Sequence, residues 1–111
     1  MKIRRFAAGT ALATMLAVVG LANPAHAGGY FTVKVNLNLR TCQWLNNPVC
    51  TPVLTVIPGG RSIYLNCWAP GTSVNGDNVW YNTQYAGKDG MVSGYYMATG
   101  HDPNPAVSRC G

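Results

Sequence analysis

Apolar and polar residues alternate in short runs along this chain, and the alternation is clearest in residues 79–97. Two stretches there, rich in aromatic and β-branched residues, flank a connection of a few residues that contains Gly87. This pattern is typical of a β-hairpin, because successive side chains of a strand point to opposite faces and glycine permits a tight turn. Directly after the second strand, the sequence predicts a one-turn helix that carries Tyr95 and Tyr96.

Shorter alternating runs precede this hairpin and predict further strands at about residues 31–35, 37–40, 53–57 and 63–67. Turn-forming residues separate them, and we expect the last of these strands to end near Pro70. No segment keeps an apolar period of about 3.6 residues, so long helices are not expected. Five or six short strands with one apolar face each predict an all-β fold, a small antiparallel barrel with a short one-turn helix.

The first 27 residues have the pattern of a secretory signal peptide. Three basic residues lie within the first five positions, an apolar run covers residues 11–21, and a small-x-small sequence occupies residues 25–27. The apolar run is shorter than the roughly 20 residues that span a bilayer, so we expect cleavage after Ala27 instead of a membrane anchor. The mature protein is then one extracellular domain, residues 28–111, which includes a C-terminal tail at residues 98–111.

Removal of that segment also removes most of the positive charge. The whole chain has a formal net charge of +5, whereas residues 28–111 contain five Lys or Arg and three Asp, which leaves +2. The five cations are scattered along the sequence, without the basic stripe that is typical of nucleic-acid-binding proteins. We therefore expect no nucleic-acid partner and, after cleavage, no integral membrane segment.

All four cysteines follow the cleavage site, and an even number of cysteines in an exported chain predicts two disulfides. Of the three connectivities that can be drawn, we favour Cys42–Cys50, which closes a short polar loop. The second bridge is then Cys67–Cys110, which ties the C-terminal tail to the middle of the sheet. A zinc site with four cysteine ligands is the alternative, but the chain has no C-x2-C pair and export disfavours it.

Four motifs occur in order between residues 31 and 97. They are N-L-N-L-R at residues 36–40, V-L-T-V-I-P-G-G at residues 53–60, Trp80, and G-M-V-S-G-Y-Y at residues 90–96. Together they resemble the bacterial SH3 family, whose usual pattern is L-N-V-R, a loop, a strand ending at a P-x-G turn, W-x-x-V and G-x-x-G-Y-V-S. The chain is similar to the exported single-domain actinobacterial members. It departs from the family at Met91, where tyrosine is usual, and in the loop between Cys42 and Cys50, which replaces S-G-P-S.

This resemblance implies an SH3-like barrel and a non-catalytic binding module, often directed at peptidoglycan or its peptide stems. By position, Trp80 and Tyr96 match the aromatic sites that border the family's groove, and Trp44 on the disulfide loop is the candidate for its other wall. Aromatic faces there would contact apolar and CH groups of a ligand. The competing interpretation of Trp80 is a packed core residue. We expect a cell-wall polymer or a peptide as the partner, no cofactor, no metal and a monomeric protein.

Residues 28–111 offer few groups for catalysis. They contain no glutamate, one histidine (His101) and three aspartates, and the cysteines are assigned to disulfides. A nucleophile needs a base within hydrogen-bond reach, and acid–base catalysis by paired carboxylates would need two of Asp77, Asp89 and Asp102 to converge. We therefore predict that the protein is not an enzyme.

Two other interpretations of the sequence stay open. The first is a disulfide-stapled inhibitor or toxin-like protein that acts on a protein target, for which Trp44 on a constrained loop is a suitable anchor. The second is a structural envelope protein without a dedicated ligand.

Overall fold

The computed structural model describes residues 28–111, so the predicted signal peptide and its cleavage site at Ala27 lie outside the described residues. The described chain forms seven strands and a one-turn 3₁₀ helix. In chain order these are β1 (Gly29–Thr32), β2 (Leu37–Arg40), β3 (Val53–Ile57), β4 (Ser62–Leu65), β5 (Cys67–Val74), β6 (Asp77–Tyr85), β7 (Lys88–Ser93) and the helix Gly94–Tyr96. Within this part of the chain, no helix is long and apolar enough to cross a membrane.

The strands form two antiparallel sheets, one with the order β3-β2-β7-β6-β5 and one that pairs β1 with β4. The chain passes between the sheets at Asn66, which separates β4 from β5. The Asn66 amide donates a hydrogen bond to the Asn82 carbonyl (2.9 Å), and the Thr83 hydroxyl donates one to the Tyr64 carbonyl (2.7 Å). These bonds join the two sheets at one corner and close the small barrel.

The predicted all-β fold with antiparallel strands and a one-turn helix is confirmed, with seven strands instead of five or six. The predicted strand from residue 63 to about Pro70 is two strands, β4 and β5, which separate at Asn66, and β5 continues through Pro70 and Gly71 to Val74. The pairing of β5 with β6 shifts register between Pro70 and Val74, and β5 is an edge strand of its sheet. Proline is tolerated at edges and bulges because its missing N–H removes no necessary ladder bond there.

Two tight turns connect the last three strands. Asn75 (φ 49°) and Gly76 (φ 88°) join β5 to β6, and Ala86 (φ 52°) and Gly87 (φ 76°) join β6 to β7. Positive φ at both central residues is the requirement of a type I′ hairpin turn, whose twist matches that of the paired strands. The predicted hairpin around Gly87 is therefore confirmed.

The hydrophobic core lies between the two sheets and continues beneath the one-turn helix. Its members are the inward-facing residues of alternating strand positions together with Met97 and Val107. The buried residues of this cluster are Val33, Leu37, Leu39, Ile57, Ile63, Leu65, Val79, Tyr81, Val92, Met97 and Val107.

Both favoured disulfides are present. The Cα atoms are 4.5 Å apart in Cys42–Cys50 and 4.9 Å apart in Cys67–Cys110, and the described chain has no free cysteine. The second bridge fixes the tail along the outer edge of β5, where Trp68 pairs with Arg109 in a parallel bridge. The Gly28 amide donates a hydrogen bond to the Ala106 carbonyl (3.2 Å), so the tail also contacts the start of the described chain.

Candidate functional site

A groove of about 320 Å³ lies between β2, the disulfide loop and the one-turn helix. Its walls are mainly apolar, and two asparagines, one serine and one arginine add polar groups. The lining residues are Val35, Asn36, Leu37, Asn38, Arg40, Leu45, Val74, Trp80, Ser93 and Tyr96. The structure thus brings Trp80 and Tyr96, two of the three residues predicted from the sequence, to one surface depression.

Trp80 lies deep in this groove and is only 2% exposed. Its position on β6 is flanked by Ala69 of β5 and Ser93 of β7. The indole Nε1–H donates a hydrogen bond to the Thr72 carbonyl (2.8 Å), which fixes the ring orientation. Trp80 is therefore a packed residue that also forms part of the groove lining.

Tyr96 is held by the local structure of the one-turn helix. Ser93 caps this helix, and its hydroxyl oxygen accepts a hydrogen bond from the Tyr95 amide (3.3 Å). The Tyr96 carbonyl accepts a hydrogen bond from the Lys34 amide (2.9 Å), which ties the helix to the segment between β1 and β2. The Tyr95 and Tyr96 rings pack edge to face with centroids 5.0 Å apart, an arrangement that is favourable for aromatic pairs. Tyr96 therefore reaches the groove from a fixed backbone.

Trp44 does not line the groove, and Leu45 forms this part of the wall instead. The Leu45 amide donates a hydrogen bond to the Thr72 hydroxyl oxygen (2.9 Å), and the Thr72 amide donates one to the Gln43 carbonyl (3.0 Å). These contacts dock the disulfide loop on β5 and leave Trp44 45% exposed. Leu45 is a functional candidate that the sequence does not single out, because its place in the groove depends on how the disulfide loop docks on β5.

Gly71 lies where the disulfide loop meets β5, and this position has no room for a side chain. A Cβ atom at Gly71 would overlap the Gln43 carbonyl oxygen and the Gln43 side chain. Glycine therefore allows the loop backbone to approach the strand directly, and this approach positions Leu45 at the groove.

The comparison with known proteins gives a relative but no activity. No protein-family model matches the chain. The chain is 31% identical over 109 residues to the uncharacterized protein YraI of Bacillus subtilis strain 168, and the alignment covers 89% of this chain and 91% of YraI. The chain belongs to the family of YraI. Because YraI is uncharacterized, this relationship assigns no activity to the chain.

A second, more polar cavity of about 410 Å³ lies on the YraI-family domain where the tail meets the β5–β6 turn. It is lined by Asp77, Asp102, His101, Lys34 and Tyr95, among other residues. Two of the three aspartates considered in the sequence analysis therefore converge here. The Asp77 carboxylate also accepts a hydrogen bond from the Val79 amide (2.9 Å).

The pKa of Asp77 is raised from 3.8 to about 6. Partial burial is the main cause, because it disfavours the charged carboxylate, and the hydrogen bond with Asp102 and the charge of Asp102 act in the same direction. The Val79 amide and the positive charge of Lys34 oppose the shift. The neutral form of the Asp77 carboxyl is therefore favoured beside Asp102.

The same tail carboxylate contacts the core. The Tyr81 hydroxyl donates a hydrogen bond to Asp102 Oδ1, and burial together with this bond raises the pKa of Tyr81 above its ordinary range. Among residues 28–111, no group of three or more His, Cys, Asp or Glu side chains is arranged to hold a metal ion.

Proposed function

We propose that the protein is a secreted, monomeric, non-catalytic binding module with an SH3-like barrel. In this proposal it recognises a cell-wall peptide, or another extended peptide, through the groove that contains Trp80 and Tyr96. The observation that carries the proposal is the convergence of these two aromatic residues in one open, largely apolar groove. The resemblance to the bacterial SH3 family, whose groove aromatic positions match Trp80 and Tyr96, supports it.

The groove has the features of a pre-organised peptide site. Leu37, Leu45 and Val74 supply apolar contacts, while Asn36 and Asn38 supply amide groups of the kind that bind peptide backbones. The Trp80 indole and the backbone on both sides of Tyr96 are held by hydrogen bonds within the domain. Little conformational freedom would be lost at these residues on binding, and this favours affinity.

Export is part of this proposal and agrees with the cysteine chemistry. Both disulfides lie within the predicted mature chain, and such bonds persist in oxidising compartments. A protein released across the membrane by cleavage after Ala27 would meet cell-wall polymers directly.

Retention on purified cell wall tests this proposal. The secreted protein is mixed with peptidoglycan sacculi from which anionic polymers have been removed, and the retained fraction is measured by sedimentation. We expect Tyr96→Ala to weaken retention by about tenfold or more, as for an aromatic residue at the centre of an interface. Trp44→Ala is the matched control, because it removes an aromatic side chain that does not line the groove, and it leaves retention unchanged. Failure of the unaltered protein to sediment with sacculi would refute wall binding.

A second candidate function is favoured by exposed apolar side chains on the disulfide loop and β3. Trp44 (45% exposed), Val49 (66%), Val53 (45%) and Val56 (47%) all contact solvent. A contiguous patch of exposed apolar residues is typical of protein-binding surfaces. This face suits an inhibitor or toxin-like protein that binds a protein target. In that case Trp44→Ala would abolish capture of a secreted hydrolase and Tyr96→Ala would not.

A structural envelope protein without a dedicated ligand is the third candidate. It differs from both of the others, because neither Tyr96→Ala nor Trp44→Ala would change any association of the folded protein.

A further inference from the structure

The groove carries a positive charge at one side. Arg40 is the last residue of β2, and it lines the groove together with Trp80 and Tyr96. None of the other described residues that line this groove is charged. The aspartates of the described chain lie elsewhere, since Asp77 and Asp102 line the separate polar cavity.

Asp89, the third aspartate, is also engaged away from the groove. Its carboxylate accepts a hydrogen bond from the Asn82 side-chain amide (3.0 Å) within the β6–β7 hairpin. Within residues 28–111, the hydrogen-bond acceptor of the Arg40 guanidinium is the neutral Thr51 carbonyl. The Arg40 cation is therefore not paired with any carboxylate of the described chain.

The disulfide loop fixes the position of this cation. Arg40 Nη1 donates its hydrogen bond to the Thr51 carbonyl, and Thr51 follows Cys50 of the Cys42–Cys50 bridge. The Arg40 backbone is paired on both sides, with Val53 of β3 and with Met91 of β7. A guanidinium has five N–H donors, and one bond to Thr51 leaves donors that can form a bidentate pair with a planar anion.

We infer that Arg40 binds the C-terminal carboxylate of the peptide ligand, so that the groove recognises the free end of a peptide and not its interior. This inference rests on the proposed peptide-binding function. Carboxylate is the anion that a guanidinium matches in planar, bidentate geometry, and a cation that is already positioned loses little freedom on pairing. The apolar walls beside Arg40 would hold the last side chains of the same peptide.

Two synthetic peptides that differ only at their C-terminus test this inference. Both have the sequence N-acetyl-Ala-D-isoGln-Lys-D-Ala-D-Ala, and one ends as the free acid while the other ends as the amide. Isoglutamine keeps the C-terminal carboxylate as the sole acidic group of the first peptide. Titration calorimetry with the secreted protein is expected to give roughly tenfold to hundredfold tighter binding of the free acid, the range for a hydrogen bond to a charged group.

Variants then assign this discrimination to Arg40. Arg40→Gln is expected to bind both peptides equally weakly, and Arg40→Lys to keep part of the preference, because lysine retains the charge without the planar fork. Arg61→Gln is the matched control, since Arg61 is bonded to the Tyr85 hydroxyl (2.9 Å) and does not line the groove. The readout is the ratio of the two affinities within one variant, which is unaffected by a fraction of unfolded protein.

The outcomes distinguish failure of this inference from failure of the proposed peptide-binding function. Equal affinity of the unaltered protein for both peptides, lost in Tyr96→Ala, would overturn the role of Arg40 and leave the peptide groove standing. An unchanged preference for the free acid in Arg40→Gln would also overturn it. If neither peptide binds and the protein does not sediment with sacculi, both the inference and the proposed function fail.

Discussion

The Tyr81 hydroxyl donates a hydrogen bond to Asp102 Oδ1 across 2.6 Å, and this bond joins the buried strand β6 to the C-terminal tail. The same phenolic oxygen accepts a hydrogen bond from the Asn104 amide (2.9 Å). One core side chain therefore holds the tail at two points, in addition to the Cys67–Cys110 bridge.

We expect Tyr81→Phe to lower the free energy of unfolding by about 1–3 kcal/mol, because it keeps the buried ring but removes both hydrogen bonds of the hydroxyl, the one to Asp102 and the one from the Asn104 amide. Urea denaturation monitored by circular dichroism measures this change. Tyr95→Phe is the control, since the Tyr95 side chain is exposed and, within residues 28–111, its hydroxyl forms no hydrogen bond with the tail. Equal stabilities of the two variants would show that the tail does not depend on Tyr81.

The Asp77–Asp102 pair predicts a pH dependence of stability. The folded protein holds the Asp77 proton more tightly than the unfolded chain, because the pKa is raised from 3.8 to about 6. The stability linked to this group is therefore complete below about pH 4 and is lost as the pH rises to about 6. Urea midpoints measured across this interval are expected to fall with rising pH.

Asp77→Asn is expected to flatten that slope, since asparagine cannot ionise and its side-chain oxygen can still accept the bond from Val79. Lys34 and His101 also line this cavity and Tyr81 contacts Asp102, so the slope assigned to Asp77 is the difference between the two proteins. Asp89→Asn, on the β6–β7 hairpin, keeps the original slope. A slope that survives in Asp77→Asn would contradict the assignment.

The β6–β7 turn contains a residue that is poorly suited to its backbone. Ala86 has φ 52°, and a left-handed conformation costs a non-glycine residue roughly 1 kcal/mol or more unless it is Asn or Asp. We expect Ala86→Asn to raise the free energy of unfolding by about 0.5–1 kcal/mol, because Asn-Gly is the preferred sequence of a type I′ turn.

Gly87→Ala provides the opposite control for that turn. Gly87 has φ 76° and no heavy atom lies within 4 Å of a Cβ built there, so the loss of about 1 kcal/mol would come from the backbone alone. Thermal denaturation of both variants measures the two effects. A destabilising Ala86→Asn would indicate that this turn relaxes in solution.

The two disulfides are expected to contribute differently to stability and to binding. From their sequence separations of 8 and 43 residues, the chain-entropy model gives about 2.5 kcal/mol for Cys42–Cys50 and about 4 kcal/mol for Cys67–Cys110. The shorter bridge constrains the loop that carries Leu45 and Thr51. Replacing Cys42 and Cys50 by serine is therefore expected to weaken peptide binding more than replacing Cys67 and Cys110, whereas the order for unfolding free energy is reversed. Calorimetry and denaturation of the two double variants test both orders.

Local sequence signals were sufficient for much of this fold. The β6–β7 hairpin follows from alternation around Gly87, and the two disulfides follow from loop lengths that either close a short connection or staple the tail. The continuation of β5 to Val74 did not follow, because Pro70 and Gly71 normally end a strand, and pairing with β6 at a sheet edge allows them to continue one.

The candidate site was likewise predicted only in part from the sequence. Trp80 and Tyr96 were predicted from the resemblance to the bacterial SH3 family, and both line one groove. Leu45 lines the groove where Trp44 was expected, because of how the disulfide loop docks on Thr72. Asp77 and Asp102 lie together because of the path of the tail. Both are contacts between distant segments, and no periodicity in the sequence encodes them.

The two ends of the described chain lie beside the same corner of the barrel. Gly28 is bonded to the tail through Ala106 and lies against the Leu65 carbonyl, while Cys110 is bridged to Cys67 only two positions further along. The two ends of the described chain are thus held near each other. A short glycine linker from residue 111 to residue 28, with new ends opened between Ala86 and Gly87, would give a circularly permuted protein whose groove is untouched.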